Sequence, residues 1–130
     1  MSLFNDYIKA VYAKLNATVG LVGLVSEKLS DQDPYPKIWI EDGGADDWSN
    51  KDDDGLEANI NLHIGSRYDG SKEIRQLMDK CHDALMNQDL VLDNGQSVLC
   101  QYARHDLVTD SDGITRHAIM RFFLLISEVA

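Results

Sequence analysis

The densest group of side chains that could bind a ligand is an acidic segment in the first half of the chain. Seven carboxylates and one lysine lie between Glu41 and Asp54. Carboxylate oxygens are the ligands that calcium prefers, but an EF-hand loop also needs a bidentate glutamate six residues after its central glycine. Counting from Gly55, that position is Asn61. The segment is therefore predicted to be a solvated or partner-facing loop, with a weak divalent-metal site as the alternative.

The four histidines lack the neighbours that catalysis or metal binding would require. They are His63, His82, His105 and His117. If Asp112-Gly113 forms a two-residue hairpin turn, His105 faces Met120 across the two strands. In the same register His117 faces Val108, so these two histidines form no site together. All four are predicted to be isolated surface residues.

No nucleophile has a recognisable catalytic setting. The sequence contains no GxSxG elbow, no phosphate loop ending in GK[ST], no GxGxxG and no HExxH. Carboxylates are plentiful in the acidic segment, but glycosidase chemistry needs two acids held rigidly in different environments. We therefore expect the protein not to be an enzyme and to use no cofactor.

Trp48 lies inside the acidic segment, where no local core is available to it. It either folds back onto its own domain or anchors a contact with another subunit, because aromatic anchors ringed by polar residues are typical of interfaces. The candidate partner-binding residues are chosen by expected exposure. They are Asp46, Asp47, Trp48, Asp52, Asp53 and Asp54 in the segment, and Asp110, Asp112 and Gly113 at the tip of the last hairpin.

Length and composition favour one globular domain spanning residues 1–130, large enough to fold without disulfides or metal. Its two cysteines, Cys81 and Cys100, are predicted to be reduced and buried. The formal net charge is −10, and no basic patch for duplex binding is present. We expect no membrane segment, since no apolar run approaches the required length. We also expect no secretory signal, since the N-terminus lacks a basic region followed by an apolar core.

Hydrophobic periodicity predicts two helices and an antiparallel sheet, an α+β fold with both main helices packed on one face. The first helix carries Phe4, Ile8, Val11, Tyr12 and Leu15 on one side. The second begins at Asp69-Gly70-Ser71 and carries Ile74, Leu77, Met78, Cys81 and Leu85. Strands are predicted near residues 27–29, and at 37–41, 56–64, 89–92, 97–102, 104–109 and 114–126, with a long polar loop over 42–55.

The register of the last hairpin is left open at this point. A two-residue turn at Asp112-Gly113 would set Arg104 directly opposite Arg121, and like charges in that position are unfavourable. Either a longer turn or a β-bulge would relieve the conflict.

The order of these features resembles the tail-completion (tail terminator, head–tail joining) proteins of long-tailed phages and prophages. The first helix is followed by Leu-Val-Gly-Leu-Val and then by Asp-Pro-Tyr-Pro-Lys-Ile-Trp-Ile-Glu. The acidic segment, a strand of period two, Gly-Ser-Lys-Glu-Ile-Arg at the second helix and the β meander complete the pattern. The resemblance covers most of the chain, from Phe4 to Val129.

This resemblance implies a non-catalytic subunit of a hexameric ring in the virion tail, assembled in the cytoplasm of the bacterial host. The ring would sit on the last ring of the tail tube, stop tube growth and join the tail to the head connector. DNA would pass through its bore without specific binding, which an acidic surface favours. The alternatives are another minor tail or connector protein, and a small cytosolic enzyme or metal-dependent binding domain using residues 42–55.

Overall fold

The computed structural model of the chain describes residues 3–26, 34–47, 49, 54–86, 90–92 and 97–128. Within these ranges, two helices and six strands follow one another. They are α1 (Leu3–Asn16), β1 (Val25–Ser26), β2 (Lys37–Asp47), β3 (Asp54–Ser66), α2 (Lys72–Met86), β4 (Leu90–Val91), β5 (Ser97–Thr109) and β6 (Arg116–Glu128). No helix in these ranges is long and apolar enough to cross a membrane.

The six strands form one sheet in the order β1-β2-β3-β6-β5-β4. β1 lies parallel to β2, and all other neighbouring pairs are antiparallel. The last strand therefore sits in the middle of the sheet, between β3 and β5, as the apolar residues near its end predicted. The predicted α+β fold, with a mainly antiparallel sheet, is confirmed.

Both helices pack on the face of the sheet where the alternating apolar residues point. In β3 these are Ala58, Ile60, Leu62 and Ile64, all fully buried. All five apolar residues predicted for α2 are buried, as is Ala84. The thiols of Cys81 and Cys100 are free and buried, and burial raises the pKa of each to about 12. Such thiols stay protonated and unreactive at neutral pH.

The predicted apolar stripe of α1 is partly wrong. Phe4 is 66% exposed, whereas Tyr7, Val11 and Leu15 are buried at a spacing of four residues. Tyr7, one helical turn before Val11, was missing from the predicted stripe. Its ring enters the core while its hydroxyl donates a hydrogen bond to the Asp42 carboxylate at 3.1 Å. This bond ties α1 to β2.

The predicted loop over residues 42–55 is also wrong in extent, because β2 continues to Asp47 and β3 begins at Asp54. The register of the two strands shifts between Asp42 and Ala45, which identifies a β-bulge at Gly43 and Gly44. Gly44 adopts a φ of 94°, and its amide donates to the Asp42 carboxylate at 2.9 Å. Aspartate and glycine are typical of loops, but here they form a bulge inside a long hairpin.

The β5–β6 hairpin keeps Arg104 opposite Arg121 and His105 opposite Met120, so the unfavourable pair of like charges is present. The turn is longer than two residues, since the Gly113 amide donates to the Asp110 carbonyl, but this longer turn leaves that register unchanged. The register shifts between Tyr102 and Arg104, so the two segments predicted at 97–102 and 104–109 are one bulged strand. The guanidinium of Arg104 donates to both carboxylate oxygens of Asp106, at 2.6 and 2.8 Å. Asp106 thereby offsets the repulsion between the two arginines.

Several predicted features lie outside the described residues. They are the strand near 27–29, the Asn94-Gly95 turn, and the side chains of Trp48, Asp52, Asp53 and Asp54.

Candidate functional site

The face of the sheet opposite the helices carries the polar and aromatic side chains that could meet a partner. On β3 this face presents Glu57, Asn59, Asn61 and His63, which alternate with the buried residues. β6 adds His117, Ile119, Arg121, Phe123 and Leu125 to the same face, in register with β3. We call this surface the helix-free face.

Trp39, His63 and His117 form a ring cluster near one end of the helix-free face. The Trp39 and His63 rings stack with centroids 5.0 Å apart and an interplanar angle of 7°. His117 contacts both rings, with centroids 5.3 Å from Trp39 and 5.1 Å from His63. The prediction that all four histidines are isolated is therefore wrong for His63 and His117. The contact depends on the pairing of β3 with β6, which hairpin reasoning within β5–β6 could not reveal.

The two histidines connect two carboxylates through their ring nitrogens. Nδ1 of His63 lies 2.9 Å from Nε2 of His117. Nε2 of His63 lies 3.2 Å from Glu41, and Nδ1 of His117 lies 3.8 Å from Asp110. When His63 donates to Glu41, its Nδ1 is an acceptor and His117 must donate to it. The remaining nitrogen of His117 is then an acceptor that faces Asp110.

Burial, charge and hydrogen bonds shift the pKa values of His117 and Glu41. Desolvation lowers the pKa of His117, and the charge of His63 lowers it further, against an opposing effect of Asp110. Hydrogen bonds from Asn61 and His63 lower the pKa of Glu41. The described residues contain no group of three side chains suited to hold a metal ion.

The acidic residues at the β2–β3 tip have different local roles. Asp46 is exposed and faces Glu57 on β3, an unfavourable pair of like charges. Asp47 accepts hydrogen bonds from the amide and hydroxyl of Ser49, and these bonds lower its pKa. The Ser49 hydroxyl in turn accepts a hydrogen bond from the Gly55 amide at 3.0 Å. Asp47 thus shapes the tip, whereas Asp46 is available for contact.

At the β5–β6 tip, Asp112 is committed to the turn. Its carboxylate accepts hydrogen bonds from the amides of Ile114 and Thr115 and from the Thr115 hydroxyl. The Thr115 bonds, followed by the Ile114 bond, lower the pKa of Asp112 to about 2. Gly113 supplies the positive φ of 73° that the turn needs. Asp110 lies at the base of the turn, where its carbonyl accepts from the Gly113 amide at 2.9 Å.

The two predicted groups of partner-binding residues lie at opposite ends of the sheet. Asp54 pairs with Glu128 at the start of β3, and Ser66 pairs with Arg116 at its end. The β2–β3 tip is therefore at one end and the β5–β6 tip at the other. Twelve strand steps of about 3.3 Å put them roughly 40 Å apart.

Charge differs between these ends. The β2–β3 end carries Asp46, Asp47 and Glu57. Near the other tip, Arg67 lies over the Tyr35 ring at 4.3 Å and donates to Thr115. Arg116 donates to the Tyr68 carbonyl at 3.1 Å. The sheet thus presents an acidic end and a mixed end that includes cations.

Comparison with known proteins places this arrangement in a family. A family model described as tail completion protein gp17 matches residues 9–127. Tail completion protein gp17 of Bacillus phage SPP1 is 24% identical over 101 residues, which are 78% of this chain and 75% of that protein. A chain from the virion of a native gene transfer agent particle has the same fold, with a TM-score of 0.78. It is 17% identical and aligns over 97% of this chain and 98% of that one.

The family match covers nearly all of the chain and agrees with the resemblance found in its residues. The protein belongs to the tail completion protein gp17 family and is a structural protein of the phage virion tail, not an enzyme.

Proposed function

We propose that the protein is a tail terminator: a ring subunit that caps the tail tube, stops its growth and joins the tail to the head connector. The observation that carries the proposal is the placement of exposed residues at two opposite ends of one sheet. A subunit between two partners needs two separate contact surfaces. Ends roughly 40 Å apart, at about 3.3 Å per strand residue, allow both partners to bind at once.

The charge difference between the ends supports two different partners. The acidic end suits a basic partner surface, whereas the mixed end, which combines Arg67 and Arg116 with Asp110 and Asp112, suits a partner surface that carries charges of both signs. On this proposal Asp46, Trp48, Asp52, Asp53 and Asp54 contact one partner. Asp110 and Gly113 lie at the other contact, and Asp47 and Asp112 hold the two tips in shape.

A hexamer of this chain would carry a large negative charge, since each subunit has a formal net charge of −10. Such a ring repels the phosphate backbone, so DNA can pass through the bore without being held. The same repulsion opposes assembly at low salt. Ring formation is therefore expected to strengthen as salt rises or when a basic partner surface is present.

Labelling of the protein in intact particles tests its position. A short epitope tag at the C-terminus, visualised with gold-labelled antibody, should mark one site per tail, between the tail tube and the head. The matched control carries the same tag on the tail tube protein and should label the whole tail length. A label along the tube or at the distal tip would reject the terminator assignment and favour another minor tail protein.

A further inference from the structure

We propose that neighbouring subunits of the ring associate through their sheets, with β5 of one subunit pairing antiparallel with β2 of the next. This inference rests on the proposed ring and names the surface that would build it. The partner is a second copy of this chain.

The first support is that, among the described residues, both outer long strands have open edges. The described residues of β1 pair with Ile38 and Trp39 of β2. The described residues of β4 pair with Ser97 and Val98 of β5. Within the described part of the chain, residues 40–47 of β2 and 99–109 of β5 therefore have a strand neighbour on one side only. Open edges present unpaired N–H and C=O groups that readily pair with another strand.

The second support is strand direction. The four long strands β2, β3, β6 and β5 are adjacent and alternate in direction. Because their number is even, β2 and β5 run in opposite directions. When every subunit has the same orientation, as in a ring, β2 of one copy meets β5 of the next in antiparallel fashion. This is a head-to-tail contact, the type that closes into rings.

The third support is charge, which disfavours the competing contact between two β2 edges. Residues 41–47 are exposed and include Glu41, Asp42, Asp46 and Asp47. Two copies of this edge would bring eight carboxylates together, whereas the exposed part of β5 carries Arg104 paired with Asp106, which leaves that edge close to neutral. Like charges facing across strands are destabilising and opposite charges are favourable. The acidic edge therefore selects β5 over a copy of itself.

The two bulges supply the curvature that ring closure needs. One lies at Gly43 and Gly44 in β2, and the other at Ala103 in β5. A bulge bends its strand and increases the local twist. Bulges are also the devices by which sheets are curved toward closure.

Cysteine cross-linking in assembled particles tests the pairing. Ala45→Cys places a thiol on the exposed part of β2, and Ala103→Cys places one at the β5 bulge, where the residue has no partner on β6. The wild-type protein is the control, because Cys81 and Cys100 are buried with raised pKa values. Particles are made with each single variant and with both together, and then treated with a short bis-maleimide.

A dimer should form only when both variants are present, and a subunit carrying both substitutions should give a ladder of cross-linked oligomers. Because the pairing is antiparallel, moving the β2 thiol from residue 45 to 47 should move the best β5 partner toward the N-terminus. Dimers from Ala103→Cys alone, or no cross-link in particles that contain the protein, would overturn the edge pairing. Absence of a cross-link would leave the terminator role intact. That role would be rejected instead if the epitope label, in the variants and in the wild type, lay elsewhere on the tail.

Discussion

Nδ1 of His63 and Nε2 of His117 lie 2.9 Å apart, on neighbouring strands that are far apart in sequence. One nitrogen must donate and the other accept, so both rings cannot be fully protonated in this geometry. Trp39 stacks on His63, and Glu41 and Asp110 lie at the two ends of the pair. Protonation of this pair therefore affects the stability of the sheet.

This pair should make the protein less stable in mild acid. The pKa of His117 is lower in the folded protein than in the unfolded chain, where it has its ordinary value near 6.5. At pH values between these two pKa values, the unfolded chain therefore binds more protons than the folded protein. The stabilising contribution is complete above the ordinary pKa and decreases as the pH falls toward the folded pKa. Urea unfolding at pH 7.5 and 5.5 should show this loss.

The variant His117→Gln should have a smaller difference in unfolding free energy between the two pH values than the wild type. The matched control is His82→Gln, at a partly exposed histidine of α2 whose ring contacts Tyr102 and not the His63–His117 pair, and it should keep the wild-type difference. Equal pH dependence in the wild type and His117→Gln would show that the pair does not control acid stability.

The hydrogen bond between Tyr7 and Asp42 should contribute measurably to stability. The bond joins α1 to β2, and burial together with Asp42 raises the pKa of Tyr7 to about 12. Tyr7→Phe keeps the buried ring but removes the donor, and should lower the unfolding free energy by about 1 kcal/mol. Tyr12→Phe, on the same helix, is the control and should have a smaller effect. An unchanged denaturation midpoint for Tyr7→Phe would mean that the bond is not formed in solution.

Two adjacent phenylalanines should differ strongly in their contribution to folding. Phe122 is fully buried against the helices, whereas Phe123 is 36% exposed on the helix-free face. Phe122→Ala should cost about 3 to 5 kcal/mol, because it leaves a cavity in the core. Phe123→Ala should cost about 1 kcal/mol or less. Similar losses for the two variants would contradict the assigned faces of β6.

Asp112 should stabilise the β5–β6 turn through its hydrogen bonds and not through partner contact. Asp112→Ala removes the acceptor of the Ile114 and Thr115 amides and should lower the thermal midpoint. The pKa of Asp112 is lowered to about 2, so its contribution is full above the ordinary carboxyl pKa near 4. That contribution decreases as the pH falls through about 2, where the wild type and variant should converge.

The neighbouring substitution Asp110→Ala separates turn formation from partner contact, the two roles proposed for residues of this tip. Asp110 contributes its backbone to the turn, so removing its side chain should change the thermal midpoint less than Asp112→Ala does. A larger loss for Asp110→Ala would reverse the assignment of the turn-forming residue.

The parts of the fold that depend on local pattern were predictable from the sequence. The apolar residues of α2 recur at helical spacing, and those of β3 alternate strictly, so the buried side of each element follows directly. The β5–β6 turn at Asp112-Gly113 was likewise identified from its residue types.

The parts that depend on tertiary pairing were not predictable in this way. The extension of β2 to Asp47 passes through Gly43 and Gly44, and only pairing with β3 keeps these residues in a strand. The His63–His117 contact needs β6 to lie beside β3, although β5 precedes β6 in sequence. Hairpin signals report on consecutive strands, so they do not contain this information.

Electron microscopy of particles assembled without this protein tests the proposed role most directly. The gene is deleted from the phage that encodes it, and the length of every tail and its attachment to a head are measured, with a plasmid copy of the gene as control. The terminator role predicts tails of widely varying length that are free of heads, and restoration of both properties by the plasmid. Tails of normal, uniform length joined to heads in the deletion would contradict it.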